Sequence, residues 1–141
     1  MRIKRILQGI GLLLAVLISA RLVAAFVWPT INDVKTGETP RYADLQPQRF
    51  NQSYEHVFAV ALTTAKALGW EVTAQDLAQG ELHAVATTPV FHFKDDVTIT
   101  IRREGEGVLV NVRSRSRVGK GDLGTNARRI RRFQAELSKQ M

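Results

Sequence analysis

Residues Val108 to Arg117 alternate without a fault. Val108, Val110, Val112, Ser114 and Ser116 fall on one side, and Leu109, Asn111, Arg113, Arg115 and Arg117 on the other. A period of two over so long a run reads as one β-strand with two unlike faces. One face belongs to a core. The other carries three guanidinium groups in a row, about 6.8 Å apart from one Cα to the next. Like charges at that spacing call for carboxylates, a bound anion or open solvent.

The chain has 141 residues and no cysteine, enough for one modest domain with a short appendage and none of the chemistry of thiolates or disulfides. Its net charge of +7 is unevenly spread. Arg2, Lys4, Arg5 and Arg21 make the amino-terminal stretch basic, residues 29–112 are acidic on balance, and residues 113–132 set eight Lys/Arg against Asp122 alone. The acidic middle is a source of counter-charge for the basic block.

The apolar run from Ile6 to Trp28 is broken mainly by Gln8, Ser19 and Arg21. As a helix from Leu7 to Trp28 it would be about 33 Å long, which matches a bilayer core of about 30 Å. Arg21 is near enough to the Trp28 end to snorkel outward. Trp28 then marks an interface and Pro29 ends the helix. Residues 1–28 are read as a membrane anchor through which the chain meets the lipid bilayer over residues 6–28. The basic flank places the amino terminus in the cytoplasm and the remainder across the membrane, which in a bacterium is the periplasm. The expected location is therefore the inner membrane, single pass. The alternative is a secreted protein after signal cleavage. Ile18 spoils a cleavage site at Ala20, and Val23-Ala24-Ala25 is a better match.

Residues 29–52 show no helical or strand period. Turn clusters at Thr36–Pro40 and Gln46–Gln48 mark an extended tether, laid across the domain by Ile31, Val34, Tyr42, Leu45 and Phe50. Residues 53–141 read as a globular domain. Tyr54 to Leu68 is an amphipathic helix, with Asn51 or Ser53 as its cap and Gly69 as its terminator. Strands follow at Trp70–Ala74, Glu81–Thr88, Asp96–Arg103 and the Arg-rich run. A last helix is capped by Asp122, with a buried stripe of Leu123, Ala127, Ile130, Phe133 and Leu137. The expected fold is α+β: an N-terminal transmembrane helix, then a four-stranded antiparallel sheet with two helices packed on one face. In architecture alone this resembles the helix-grip modules of cell-envelope assembly proteins.

Three further runs carry a family resemblance. They are Phe93-Lys94-Asp95-Asp96-Val97-Thr98-Ile99, Val112 to Gly119, and Asp122 to Phe133. With Ile31-Asn32-Asp33-Val34, Thr36, Pro40 and the Gly69-Trp70 to Gly80 arrangement, they resemble domain-of-unknown-function family 1499 over about residues 29–137. Glu81-Leu82-His83-Ala84 is the loosest match. The resemblance implies a bacterial-type envelope domain, often behind a membrane segment, and brings no established activity.

With Glu104–Gly107 as a hairpin turn, paired residue numbers sum to 211. Val97 faces Ser114, Ile99 faces Val112 and Ile101 faces Val110 toward the core, while Asp96 faces Arg115 and Thr98 faces Arg113 on the other side. Asp95 points to the opposite face or lies in the preceding loop. Two readings follow. In one, Asp96, Asp122 and Arg128, with Arg113 and Arg115, form a structural ion network locking the last helix to the sheet. In the other, Arg113, Arg115, Arg117 and Lys120 bind an anionic ligand, a lipid headgroup or an envelope protein, with Gly119, Gly121 and Gly124 allowing close backbone approach. The register gives Arg115 a partner and leaves Arg113 and Arg117 open.

No cofactor is expected, and no metal either, because a lone His92 beside Asp95 and Asp96 matches no ligand spacing. Nucleic acid is not an expected partner, since the basic block holds few aromatic residues and the anchor places it outside the cytoplasm. The expected role is a membrane-anchored cell-envelope domain, leaning away from catalysis, that binds a partner or anionic ligand through the Arg face. The alternative is a hydrolase-like envelope enzyme using His92 and Asp96 beside the Arg row.

Overall fold

A computed structural model describes residues 2–27 and 30–141 of the chain. Helix α1 (Arg2–Val27) contains one stretch, Ile6–Val23, long and apolar enough to cross a membrane, with a mean hydropathy of 2.2 and none of it buried. A signal sequence has the same character. The expected interfacial Trp28 and helix-ending Pro29 lie outside the described residues.

Two further helices, α2 (Tyr54–Ala67) and α3 (Thr125–Lys139), cover one face of an antiparallel sheet. The strands are β1 (Asp33–Lys35), β2 (Gln48–Phe50), β3 (Glu71–Asp76), β4 (Glu81–Thr87), β5 (Lys94–Glu104) and β6 (Gly107–Ser116). Their order is β1-β6-β5-β4-β3, with β2 also on β6. The expected four strands are therefore six. Both extra strands come from the segment read as an extended tether, and each is three residues long, too short to show a period.

β1 and β2 share one edge of β6, taking its carboxy-terminal and amino-terminal halves respectively. The gap between them would orphan the Val112 amide. Thr36, itself buried, accepts that N–H through Oγ1 at 3.0 Å and donates its own N–H to the Val112 carbonyl. Val34 and Leu45 of the same segment enter the core, and Ile31, Tyr42 and Phe50 pack against it. Without this cover β6 would be an exposed edge.

The long hairpin has the expected register, from Asp95 opposite Ser116 to Glu104 opposite Gly107. Val97, Ile99, Ile101, Val108, Val110 and Val112 therefore face the helices as one apolar layer. Ser53 caps α2 by accepting the His56 amide. The α3 residues Ala127, Ile130, Phe133 and Leu137 are fully buried, and Trp70 stacks on Phe133 at 5.4 Å between centroids. Leu123, placed in that stripe by its spacing, lies in the loop before α3 and is 59% exposed. At Gly80 (φ +70°), a Cβ would stand 2.1 Å from the Ile101 carbonyl oxygen and 2.6 Å from the Tyr54 hydroxyl. Among the described residues the buried core runs from Val34 to Leu137, with Ile31 packed against it, so it lies wholly within residues 30–141.

Candidate functional site

The Arg row lies on the sheet face that no helix covers. Strand β6 is flanked by β1 and β5, and Asp33 on β1 and Asp96 on β5 both stand in register with Arg115. Neither bonds to it. Arg113 takes Asp33 in a two-point grip, Nε to Oδ1 at 2.8 Å and Nη2 to Oδ2 at 2.5 Å. Arg117 takes Asp96, with Nε and Nη2 both on Oδ1 at 2.9 and 2.6 Å. Each pair is a diagonal one, two residues off register, of the kind a twisted sheet brings within reach of a long side chain. The expected assignment is thus reversed: Arg113 and Arg117 are paired, and Arg115 has no carboxylate bonded to it.

The electrostatics follow. The hydrogen bonds from Arg113 hold the Asp33 carboxyl below the usual carboxylate range against the opposing effect of burial, and the charges of Arg113, Arg115 and Lys35 add to them. The bonds from Arg117 do the same for Asp96, again with help from the Arg115 charge. Arg115 therefore serves both carboxylates through its field alone. Lys120 is not part of this row. It sits beyond Gly119 in the β6–α3 loop.

The expected ion network of Asp96, Asp122 and Arg128 does not assemble. Asp96 is on the outer face with Arg117. Asp122 is spent on the start of α3, where its carboxylate accepts the Gly124 amide at 2.8 Å and the Asn126 amide at 2.6 Å. That use also occupies the N–H of Gly124, one of the three glycines expected to let the backbone approach an anion. Arg128 donates to the Leu123 carbonyl and the Thr125 hydroxyl.

Helix α3 is locked to the sheet by a pair that sequence reading did not find. Asp95 and Arg129 meet at 2.6 Å, with only 3% and 9% of their side chains exposed. Arg129 Nη1 donates to Ser114 Oγ at 2.9 Å and Asn126 Oδ1 at 2.7 Å. Asn126 in turn donates to the Ser116 hydroxyl and the Asn32 carbonyl. Two signals were present: alternation puts Asp95 on the core side of β5, and Arg129 lies beside Asn126 and Ile130 on the inward side of α3. The expected enzyme pairing of His92 with Asp96 does not form. Asp96 is held by Arg117, and among the described residues the His92 ring has no hydrogen-bond partner.

Above the Asp95–Arg129 pair opens a groove of about 720 Å³, walled by three loops that gather at one end of the domain. The β4–β5 loop is bonded to itself: Thr88 donates to the Phe93 carbonyl, and Thr88 Oγ1 accepts the Phe93 amide. Its side chains therefore point outward, with Val90 74% and Phe91 72% exposed and Phe91 stacked on Phe93 at 5.5 Å. Val118 and Leu123 face them from the β6–α3 loop, Trp70 closes the inner end, and Arg128 and Arg132 stand on the rim. This arrangement offers an apolar trough, a cationic lip and a polar floor whose charges are already mutually satisfied. It can hold an elongated apolar body with a negatively charged end.

A family model described as a protein of unknown function (DUF1499) matches residues 25–137. The match spans all six strands, α2 and most of α3. No curated protein matches the chain.

Proposed function

This chain belongs to the DUF1499 family, and from that starting point we propose that it is a membrane-anchored cell-envelope domain that binds an anionic amphiphile in the groove between the β4–β5 loop and α3. On this reading α1 is a single-pass span of the bacterial inner membrane, with the amino terminus in the cytoplasm and residues 30–141 in the periplasm. The observation that carries the binding reading is the groove itself, in which Phe91, Phe93, Val118 and Leu123 supply apolar surface beside Arg128 and Arg132. An apolar lining with a few convergent polar groups is what small-molecule sites share. The Arg row supports ligand binding less well, because two of its three guanidinium groups already hold carboxylates.

The test uses residues 30–141, a fluorescent fatty acid and its uncharged methyl ester. The acid is expected to bind saturably, and Arg132→Glu to weaken it roughly tenfold or more, the size of one charge-assisted contact. The ester is expected to bind more weakly than the acid and to ignore the substitution. Absence of saturable binding, or equal binding of acid and ester, would remove the proposal. The anchor is tested separately by the mass of the mature chain and its retention in alkali-washed membranes.

A further inference from the structure

Outside α1, the described residues include six large hydrophobic side chains that are exposed: Leu77, Val90, Phe91, Phe93, Val118 and Leu123. Five of the six lie at the groove end, on the β4–β5 and β6–α3 loops. Such a patch on a small domain calls for a partner.

The path of the chain says which. The Ile31 carbonyl accepts the Asp122 amide at 3.1 Å, and Asn32 Nδ2 donates to the Gly119 carbonyl at 2.5 Å. The first residues after α1 are thus pinned to the same β6–α3 loop that carries Val118 and Leu123. Arg117 donates to the Lys94 carbonyl, tying that loop to the base of the β4–β5 loop. Only four peptide links separate Val27 from Ile31, at most about 14 Å of chain in any conformation. The end of α1 therefore cannot be far from the apolar end of the domain.

Charge adds a second argument. Asp95, Asp96 and Asp122 at this end are each engaged, by Arg129, by Arg117 and by the start of α3. Lys120, Arg128 and Arg132 have no carboxylate partner among the described residues. Apolar and aromatic tips ringed by cations are the composition of a surface that seats in anionic headgroups.

We infer that the groove end is a second membrane contact: it lies on the leaflet from which α1 emerges, with Val90 and Phe91 seated among the headgroups and the groove open toward the bilayer. This rests on α1 remaining as a membrane span, and it goes beyond amphiphile binding by naming the bilayer as what covers the apolar end.

The absence of cysteine makes the test direct. The full chain is reconstituted into vesicles of phosphatidylcholine and phosphatidylglycerol, bearing bimane on Val90→Cys or on Glu106→Cys. Glu106 is in the β5–β6 turn, about 33 Å away along the eleven-residue strand β5. The Val90 label is expected to shift to the blue and to be quenched several-fold more than the Glu106 label by doxyl-labelled lipid, with the difference shrinking when phosphatidylglycerol is left out. Equal quenching at both positions, or none at Val90, overturns the inference. A blue shift at Val90 without lipid quenching also overturns it, since the tip would then be covered by protein such as a second copy. If the chain is not retained in membranes, the inference falls together with the anchor. If it is retained and Val90 is silent, the inference falls alone. Fatty-acid binding by residues 30–141 is unaffected by either result.

Discussion

Arg115 stands directly opposite both Asp33 and Asp96, one on each neighbouring strand, and is bonded to neither. The two carboxylates reach instead to Arg113 and Arg117, the next residues along the same face. Three guanidinium groups thus share two carboxylates, and the unbonded one is in the middle, where its field reaches both. The row is largely neutralised from within the fold.

Substitutions along the row should therefore rank in an order opposite to the register. Arg115→Ala is expected to change the stability of residues 30–141 by no more than about 0.5 kcal/mol, as for a surface residue without a bonded partner. Arg113→Ala removes a half-exposed two-point ion pair and is expected to cost roughly 0.5–1 kcal/mol. Urea denaturation compares them. A larger loss from Arg115→Ala than from Arg113→Ala would contradict the diagonal pairing.

Acid should find these pairs. Asp33, Asp96 and Asp44 are held below the usual carboxylate range, first by hydrogen bonds from Arg113, Arg117 and Arg131 respectively. A carboxylate with a lowered folded pKa stabilises the fold above its unfolded value, about 4, and that contribution is lost as pH falls through the folded value. Melting temperature is expected to hold from neutrality to about pH 5 and to decline below about pH 4. The decline should be shallower in Asp33→Asn, which has given up its share already. Because these groups are partly exposed, salt should flatten the decline as well.

Breaking the buried pair should cost far more. Asp95→Leu or Arg129→Met leaves one buried group without its opposite charge, an expected loss of about 3–5 kcal/mol. Removing both with Asp95→Leu and Arg129→Met should recover much of it, because an apolar pair of similar volume needs no solvation. Denaturant midpoints of the singles and the double form the cycle. A double variant as unstable as the sum of the singles would show that the pair is not a unit.

Gly80→Ala should be among the most damaging single methyl additions. It combines a positive φ with a Cβ driven onto the Ile101 carbonyl, whose own N–H bonds the Gly80 carbonyl at 2.8 Å. An expected loss of about 2 kcal/mol or more follows from the strained φ and the displaced backbone together. Gly69→Ala is the comparison. It also has positive φ but no atom within 4 Å of its Cβ, so it should lose about 1 kcal/mol.

Much of the secondary structure could be read because its signals are local. The α2 stripe with its Ser53 cap, the period of two along β5 and β6, and the Glu104–Gly107 turn that sets their register each depend on residues close in sequence. β1 and β2 could not be read this way. Three residues are too few to show a period, and what makes them strands is the bare edge of β6, some sixty to eighty residues further on.

The residues of the chain alone determined where apolar and charged faces lie: the apolar stretch at 6–23, the core side of β6, the guanidinium row and the basic block. Periodicity encodes burial, and burial is a property of one segment at a time. Partner choice belonged to the tertiary structure. Sheet twist decided that Asp33 and Asp96 hold Arg113 and Arg117 rather than Arg115, since a diagonal is set by how strands cross and not by which residues face. The packing of α3 decided that Arg129 and not Arg128 meets the core-side Asp95 and anchors the helix. The groove exists only because three loops from distant parts of the chain close at one end, and no periodic signal marks side chains that meet through folding alone.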